Sequence, residues 1–204
     1  MIGLIMHKFD KNPGMIKYLS IILSIGLMAC SSNTYKSTDS SSWNFSTTHH
    51  DAILDRNCQP VIYQYQEIIK GLANRDTVYL QGASKQLLQI CDSLSSLKLG
   101  KDSVTQKIWR DGLTNIYAEL LGLTFASDPK EINISVHMTG IQILNLLAQI
   151  GYQSHTIYIF NVKDGAMEDG LGWFGLQKST RDPFHSDNRK LIMATQVLQE
   201  AHTQ

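Results

Sequence analysis

The sequence predicts a mainly α protein, an up-down-up-down four-helix bundle with a small C-terminal β element. Three observations carry that expectation. Four stretches of 16–24 residues between positions 58 and 150 repeat apolar side chains at three- and four-residue spacing. Short polar turns join them, which favours antiparallel neighbours. After Gly151 the pattern changes to the β-branched and aromatic run His155–Val162 (HTIYIFNV), which reads as a strand.

The first helix is expected over 58–73, with Cys58, Val61, Ile62, Tyr65, Ile68, Ile69 and Leu72 on one face. Asn57 would cap it, leaving Pro60 in the first turn, where its missing N–H costs nothing. Asn74-Arg75-Asp76 makes the turn, and Asp76 or Thr77 starts a second helix over 77–98 that buries Leu80, Ala83, Leu87, Cys91 and Leu94 before Gly100 ends it. Ser103 with Gln106 reads as a capping box for a third helix over 103–126, with Ile108, Trp109, Ile116, Tyr117, Leu120, Leu121 and Phe125 as its stripe. Asp128-Pro129 interrupts the chain. A fourth helix over 132–150 presents Val136, Gly140, Ile143, Leu144 and Leu147 and stops at Gly151. Beyond the strand, a Gly-rich loop over 163–172 leads to a short apolar stretch at Trp173-Phe174, and the composition of 188–201 allows a last helix.

The segments before the bundle speak to location. Lys17 precedes eleven residues, 18–28, that are almost wholly apolar, followed by Ala29 and Cys30. A basic start, a short apolar core and small residues before a processing point define a secretory signal peptide. Eleven residues rise only about 16 Å as a helix, well short of the roughly 30 Å hydrocarbon core, so the segment is not expected to span a membrane. Leu27-Met28-Ala29-Cys30 resembles the lipobox of bacterial lipoproteins, in which cleavage falls before the Cys and the thiol and new amino group are acylated. The resemblance implies a signal peptide over 1–29, lipidation at Cys30 and a lipid bilayer as the first partner. Ser31, in place of an acidic residue, favours passage to the outer membrane in that pattern, with the domain facing the periplasm. Met15 offers a second start within the signal. Residues 31–48 (SSNTYKSTDSSSWNFSTT) lack apolar periodicity and read as a tether, leaving 49–204 as a single helical domain.

Composition narrows the function classes. The chain carries 18 Lys+Arg against 18 Asp+Glu and is 43% hydrophobic. Loss of 1–29 removes Lys8, Lys11, Lys17 and Asp10, leaving 15 basic against 17 acidic residues. No basic stripe suits a phosphate backbone, so no nucleic-acid partner is expected. Three cysteines are too few for a disulfide scaffold or a Cys-only zinc site. With Cys30 acylated, Cys58 and Cys91 remain in a compartment where disulfides persist. Cys58 lies 17 residues before Arg75 and Cys91 lies 16 after it, so an antiparallel hairpin brings both to similar height. A disulfide between them would contribute about 3–4 kcal/mol in the loop-entropy model. Two reduced cysteines packing as small hydrophobes are the alternative.

Catalytic patterns are sparse. Gly170-Leu-Gly172-Trp-Phe-Gly175 matches GxGxxG by letter, but Trp173 and Phe174 crowd it and Arg181-Asp-Pro183 follows too soon for the helix that would meet a pyrophosphate. A tight turn or strand connection is the expected reading. No GxSxG, P-loop or HExxH occurs, and the adjacent Glu168-Asp169 in a Gly-rich loop reads as solvent-facing. The chain is therefore expected to be non-catalytic. His49 and His50 sit just after the tether, before Asp51, while His137, His155, Met167, His185 and Met193 are scattered downstream. Thioether and imidazole suit copper, particularly Cu(I). No cofactor is expected; the composition permits a copper site, with Met167 assisted by His155 or His185.

Several of these residues recur together: the hairpin around Leu72-Ala-Asn-Arg-Asp76, Trp109, and the fourth helix followed by a strand ending at Asn161-Val162. In the tail stand Gly165-Ala-Met167, Gly172-Trp173 and Arg181-Asp-Pro183-Phe184. Over about residues 61–198 this resembles the bacterial envelope family known as domain of unknown function 3347, whose tail reads Cys-Pro-Met, Gly-x-Trp, Arg-Asn-Pro-Tyr and a late Cys-Gly. Members are often lipoproteins or occur near copper-efflux components, which implies a role in handling envelope copper. Here Gly165-Ala166 replace Cys-Pro and Ala194-Thr195 replace Cys-Gly, so only Met167 remains of the soft ligands the family implies. The resulting expectation is a lipid-anchored, periplasm-facing binding module with an envelope protein partner. A copper-handling protein with a degenerate Met/His site is the alternative.

Overall fold

The computed structural model describes residues 51–99, 101–162, 170–178, 182–185 and 197–198. The signal segment, Cys30, the tether, Met167 and most of 188–201 lie outside the described residues. Those described fall in one compact unit built on four helices, α1 (Ala52–Ala73), α2 (Thr77–Ser95), α3 (Ser103–Phe125) and α4 (Pro129–Ile150). Each helix packs on the next and α4 returns against α1, closing the bundle. None of the described helices is long and apolar enough to cross a membrane.

Each helix starts on an aspartate, whose carboxylate accepts a backbone N–H that has no partner in the first turn. Asp51 accepts from Ile53, Asp76 from Tyr79, Asp102 from Thr105 and Asp128 from Glu131. This corrects two expected helix starts and one expected cap. α1 begins six residues before position 58, so Pro60 is its ninth residue and cannot donate to the Arg56 carbonyl. Asn57 is no cap; its side chain donates back to the Ile53 carbonyl at 2.7 Å. The apolar series continues upstream through Leu54, fully buried, and that burial together with the Asp51 cap carries the helix across the proline. At α3, Asp102 supplies the cap in place of the Ser103–Gln106 box. Pro129 sits in the first turn of α4, which starts three residues before position 132.

The α1–α2 turn is a Schellman motif: Asp76 N–H donates to the Gly71 carbonyl and Arg75 N–H to that of Leu72, with Arg75 left-handed at φ 56°. α4 ends likewise, at Gly151 with φ 66°.

The buried stripe of α3 is Trp109, Leu113, Ile116, Leu120 and Leu123. Tyr117, Leu121 and Phe125, expected in the core, are exposed, Phe125 by 79%. The helix has apolar residues at 3–4 spacing on two adjoining faces, and periodicity alone does not choose which faces inward.

Strand β1 (Ile157–Val162) pairs antiparallel with β2 (Leu171–Gly175), placing Phe160 opposite Trp173. A two-residue strand, β3 (Val197–Leu198), pairs with the other edge of β1, so these two positions are extended and not part of a last helix. Pairing with an exposed strand edge overrides their helical composition. The GxGxxG letters fall on β2, with Gly170 at φ 78° just before it, in keeping with a strand connection. β2 packs on α4. Its neighbouring aromatics point to opposite faces, as a strand's must. Phe174 stacks on Tyr65 of α1 at 4.4 Å between centroids, while Trp173 meets Phe160 at 5.1 Å and Phe184 at 5.7 Å. Both faces of the hairpin are therefore covered.

Candidate functional site

Polar groups buried in a helical bundle must be hydrogen-bonded or they cost stability, so their connections show what each is for. One such cluster lies where the first turns of α1 meet the chain leaving α4. Asp55, 2% exposed, accepts from the Gln153 backbone N–H at 3.0 Å and the Ser154 hydroxyl at 2.9 Å. Next to it the Tyr152 hydroxyl lies 2.8 Å from His155 Nδ1. Burial pushes the Tyr152 phenol well up, helped by Asp55, Cys58 and Tyr63. The phenol therefore keeps its proton near neutrality and is hydrogen-bonded to the His155 ring. Tyr63 meets the same ring edge-on at 6.3 Å. The cluster binds the α4–β1 connection to the start of α1.

Cys58 lies one turn beyond Asp55, wholly buried, and Cys91 faces the same interior from α2 at 2% exposure. Both stand as free thiols. Burial raises Cys58 well above an ordinary thiol, with Asp55 and the neighbouring Cys91 adding to it, and burial pushes Cys91 up to about 12. Such thiols carry almost no thiolate near neutrality and are weak nucleophiles and metal ligands as they stand.

A third connection, which sequence reasoning missed, joins α4 to the sheet. Gly172 N–H donates to His137 Nδ1 at 2.8 Å, with the Gly172 carbonyl 3.1 Å from the same nitrogen. A side chain on Gly172 would meet this ring at 3.5 Å and the Phe160 carbonyl at 3.2 Å. His137 and Gly172 are 35 residues apart, and only the docking of β2 on α4 brings them together.

The residues expected to hold copper divide among these connections. His155 belongs to the Asp55–Tyr152 cluster, whereas His185 Nδ1 pairs with Asp182 Oδ2 at 2.8 Å beside the aromatic cover of the sheet. Asp182 also accepts the Phe184 N–H at 2.8 Å, closing the turn that carries His185. Met167 is outside the described residues. Among the described residues no three His, Cys, Asp or Glu side chains are grouped to hold a metal ion.

On the outer surface, Tyr117, Leu121 and Phe125 follow one another at four-residue spacing along α3. Phe125 borders a shallow hollow of about 360 Å³ lined with Gly122, Ala126, Glu131, Ile134 and Ser135 at the α3–α4 turn. Glu119, in the same stretch of α3, has its carboxyl raised by partial burial.

No family model matches this chain, and no curated protein or solved structure is significantly similar to it.

Proposed function

We propose that this chain is a lipid-anchored, periplasm-facing helical binding module of the bacterial envelope and not an enzyme. The observation that carries the reading is Leu27-Met28-Ala29-Cys30 directly after the apolar run 18–28, with a Ser-rich tether leading to the folded unit. Acyl chains on Cys30 would each gain about 0.8 kcal/mol per buried methylene, and several together make an anchor that does not dissociate. Ser31 favours the outer membrane as its destination.

Two features of the domain support binding over catalysis. Its buried polar groups, Asp55, Tyr152 and His155 among them, are engaged in tying backbone segments together. Among its exposed apolar side chains, Tyr117, Leu121 and Phe125 form a row along α3, the kind of surface that a protein contact covers. The partner is an envelope protein.

A photo-crosslinking residue at Phe125 tests the binding reading in the cell. A discrete adduct at Phe125 that is absent when the same residue replaces Lys107, exposed near the other end of α3, is the expected result. Equal labelling at both sites, or at neither, contradicts a partner on this face.

A further inference from the structure

Contacts along the α1–α2 hairpin set a constant register. Gly71 lies so close to Leu80 that a side chain there would come within 2.9 Å of its Cα. Gln64 Nε2 donates to the Ala83 carbonyl at 3.1 Å and to Gln86 Oε1 at 3.0 Å. Moving away from the turn, six residues back from Gln64 and five on from Gln86 bring the two helices to Cys58 and Cys91. Both side chains are buried, both lie on the face their helix turns to the core, and Cys58 feels the charge that Cys91 would carry. Small buried residues along this seam, Gly71, Ala83 and Ser84, let the two backbones approach. The register therefore puts the two thiols at one level of the hairpin, the alignment that a disulfide between its two helices requires.

We infer that Cys58 and Cys91 form a cross-link that closes while the hairpin folds, using a disulfide as oxidant. One cysteine thiolate attacks the oxidant's S–S bond, forming a mixed disulfide and releasing one half as a thiol. The second cysteine then attacks the sulfur of the first, releasing the other half. Two cysteine thiols and one oxidant disulfide become one protein disulfide and two thiols, and the two cysteine protons end on the released thiols. The order of events follows from burial. Once the core forms, neither sulfur is accessible or ionised, so exchange belongs to the open hairpin, and the finished bond is then shielded from reductant. The pairing is intrinsic to the hairpin; only its occurrence in the cell rests on the export reading above.

The test keeps the two apart by working on the purified full chain carrying Cys30→Ser. The protein is unfolded under reducing conditions, refolded with oxidised glutathione, denatured, alkylated and digested with trypsin without reduction. Peptides 57–70 and 86–98 are expected as one linked species. The oxidised protein is expected to melt roughly 10 °C above its reduced form. Cys91→Ser should lose both the linked species and the reductant-sensitive shift. Recovery of Cys58 and Cys91 separately, alkylated or each capped by glutathione, overturns the inference.

Discussion

Gly140 offers a sharp test of how the sheet is docked. Three helical glycines, Gly82, Gly122 and Gly140, would by helix propensity alone each become more stable as alanine, by up to about 1 kcal/mol. The structure separates them. A methyl group at Gly82 or Gly122 meets nothing within 4 Å, whereas at Gly140 it comes within 3.0 Å of Tyr65 Cζ and closer still to the hydroxyl. Tyr65 has little room to yield: it is fully buried, stacked on Phe174 at 4.4 Å, and its hydroxyl reaches the Val136 carbonyl at 3.4 Å. Overpacking of this kind costs about 1–3 kcal/mol. After the helix gain is set against it, Gly140→Ala should be destabilised by up to about 2 kcal/mol, a fall of up to roughly 8 °C in Tm for a domain this size. Gly82→Ala and Gly122→Ala should rise by about 1–4 °C. Tyr65→Phe gives up only a long hydrogen bond, worth less than about 1 kcal/mol. In that background the hydroxyl clash is gone, and Gly140→Ala should cost at most half as much. Urea titration followed by tryptophan fluorescence and circular dichroism measures all five variants. A Gly140→Ala protein as stable as Gly82→Ala, or a cycle with no coupling to Tyr65, would refute the packing argument.

Other perturbations follow from the polar groups. Asp55→Ala leaves the Gln153 N–H and the Ser154 hydroxyl without their acceptor. It should cost about 2–3 kcal/mol, read in the same urea titration, with Asp55→Asn recovering part of the loss. Glu119 has a carboxyl raised by partial burial, so the folded state holds its proton more tightly than the unfolded chain. The stability this contributes is complete below the unfolded pKa and is lost as pH rises through the folded value. Glu119→Gln should therefore match the parent near pH 4 and exceed it at pH 7, and equal differences at both pH values would count against the burial argument.

Much of this architecture is legible in the sequence because its determinants are local. Stripes at 3–4 spacing specify four helices, and Asn74-Arg75-Asp76 and Gly151 mark two of the ends. Misreadings arise where a local rule had two solutions. Pro60 and Asn57 together resemble a helix start, yet Leu54 and Asp51 upstream carry α1 past them. On α3, Leu113 and Leu123 take the interior places expected for Tyr117, Leu121 and Phe125 because α2 and α4 decide which face is covered. Nothing local could reveal His137 as the acceptor of the Gly172 amide, since that contact exists only once the sheet docks. The level pairing of Cys58 with Cys91 was visible by counting from the turn, and the hairpin contacts reproduce that count. His155 and His185, matched to a metal by composition, lie in separate hydrogen-bonded groups that their flanking residues gave no means of telling apart.

The central claim is attachment through Cys30, and mass spectrometry of the N-terminus of the protein isolated from cell envelopes tests it most directly. The account predicts a chain beginning at Cys30, its thiol and amino group acylated, with Cys30→Ser releasing the domain from the membrane fraction. A chain that retains residues 1–29, or one cut there with an unmodified Cys30, would contradict it.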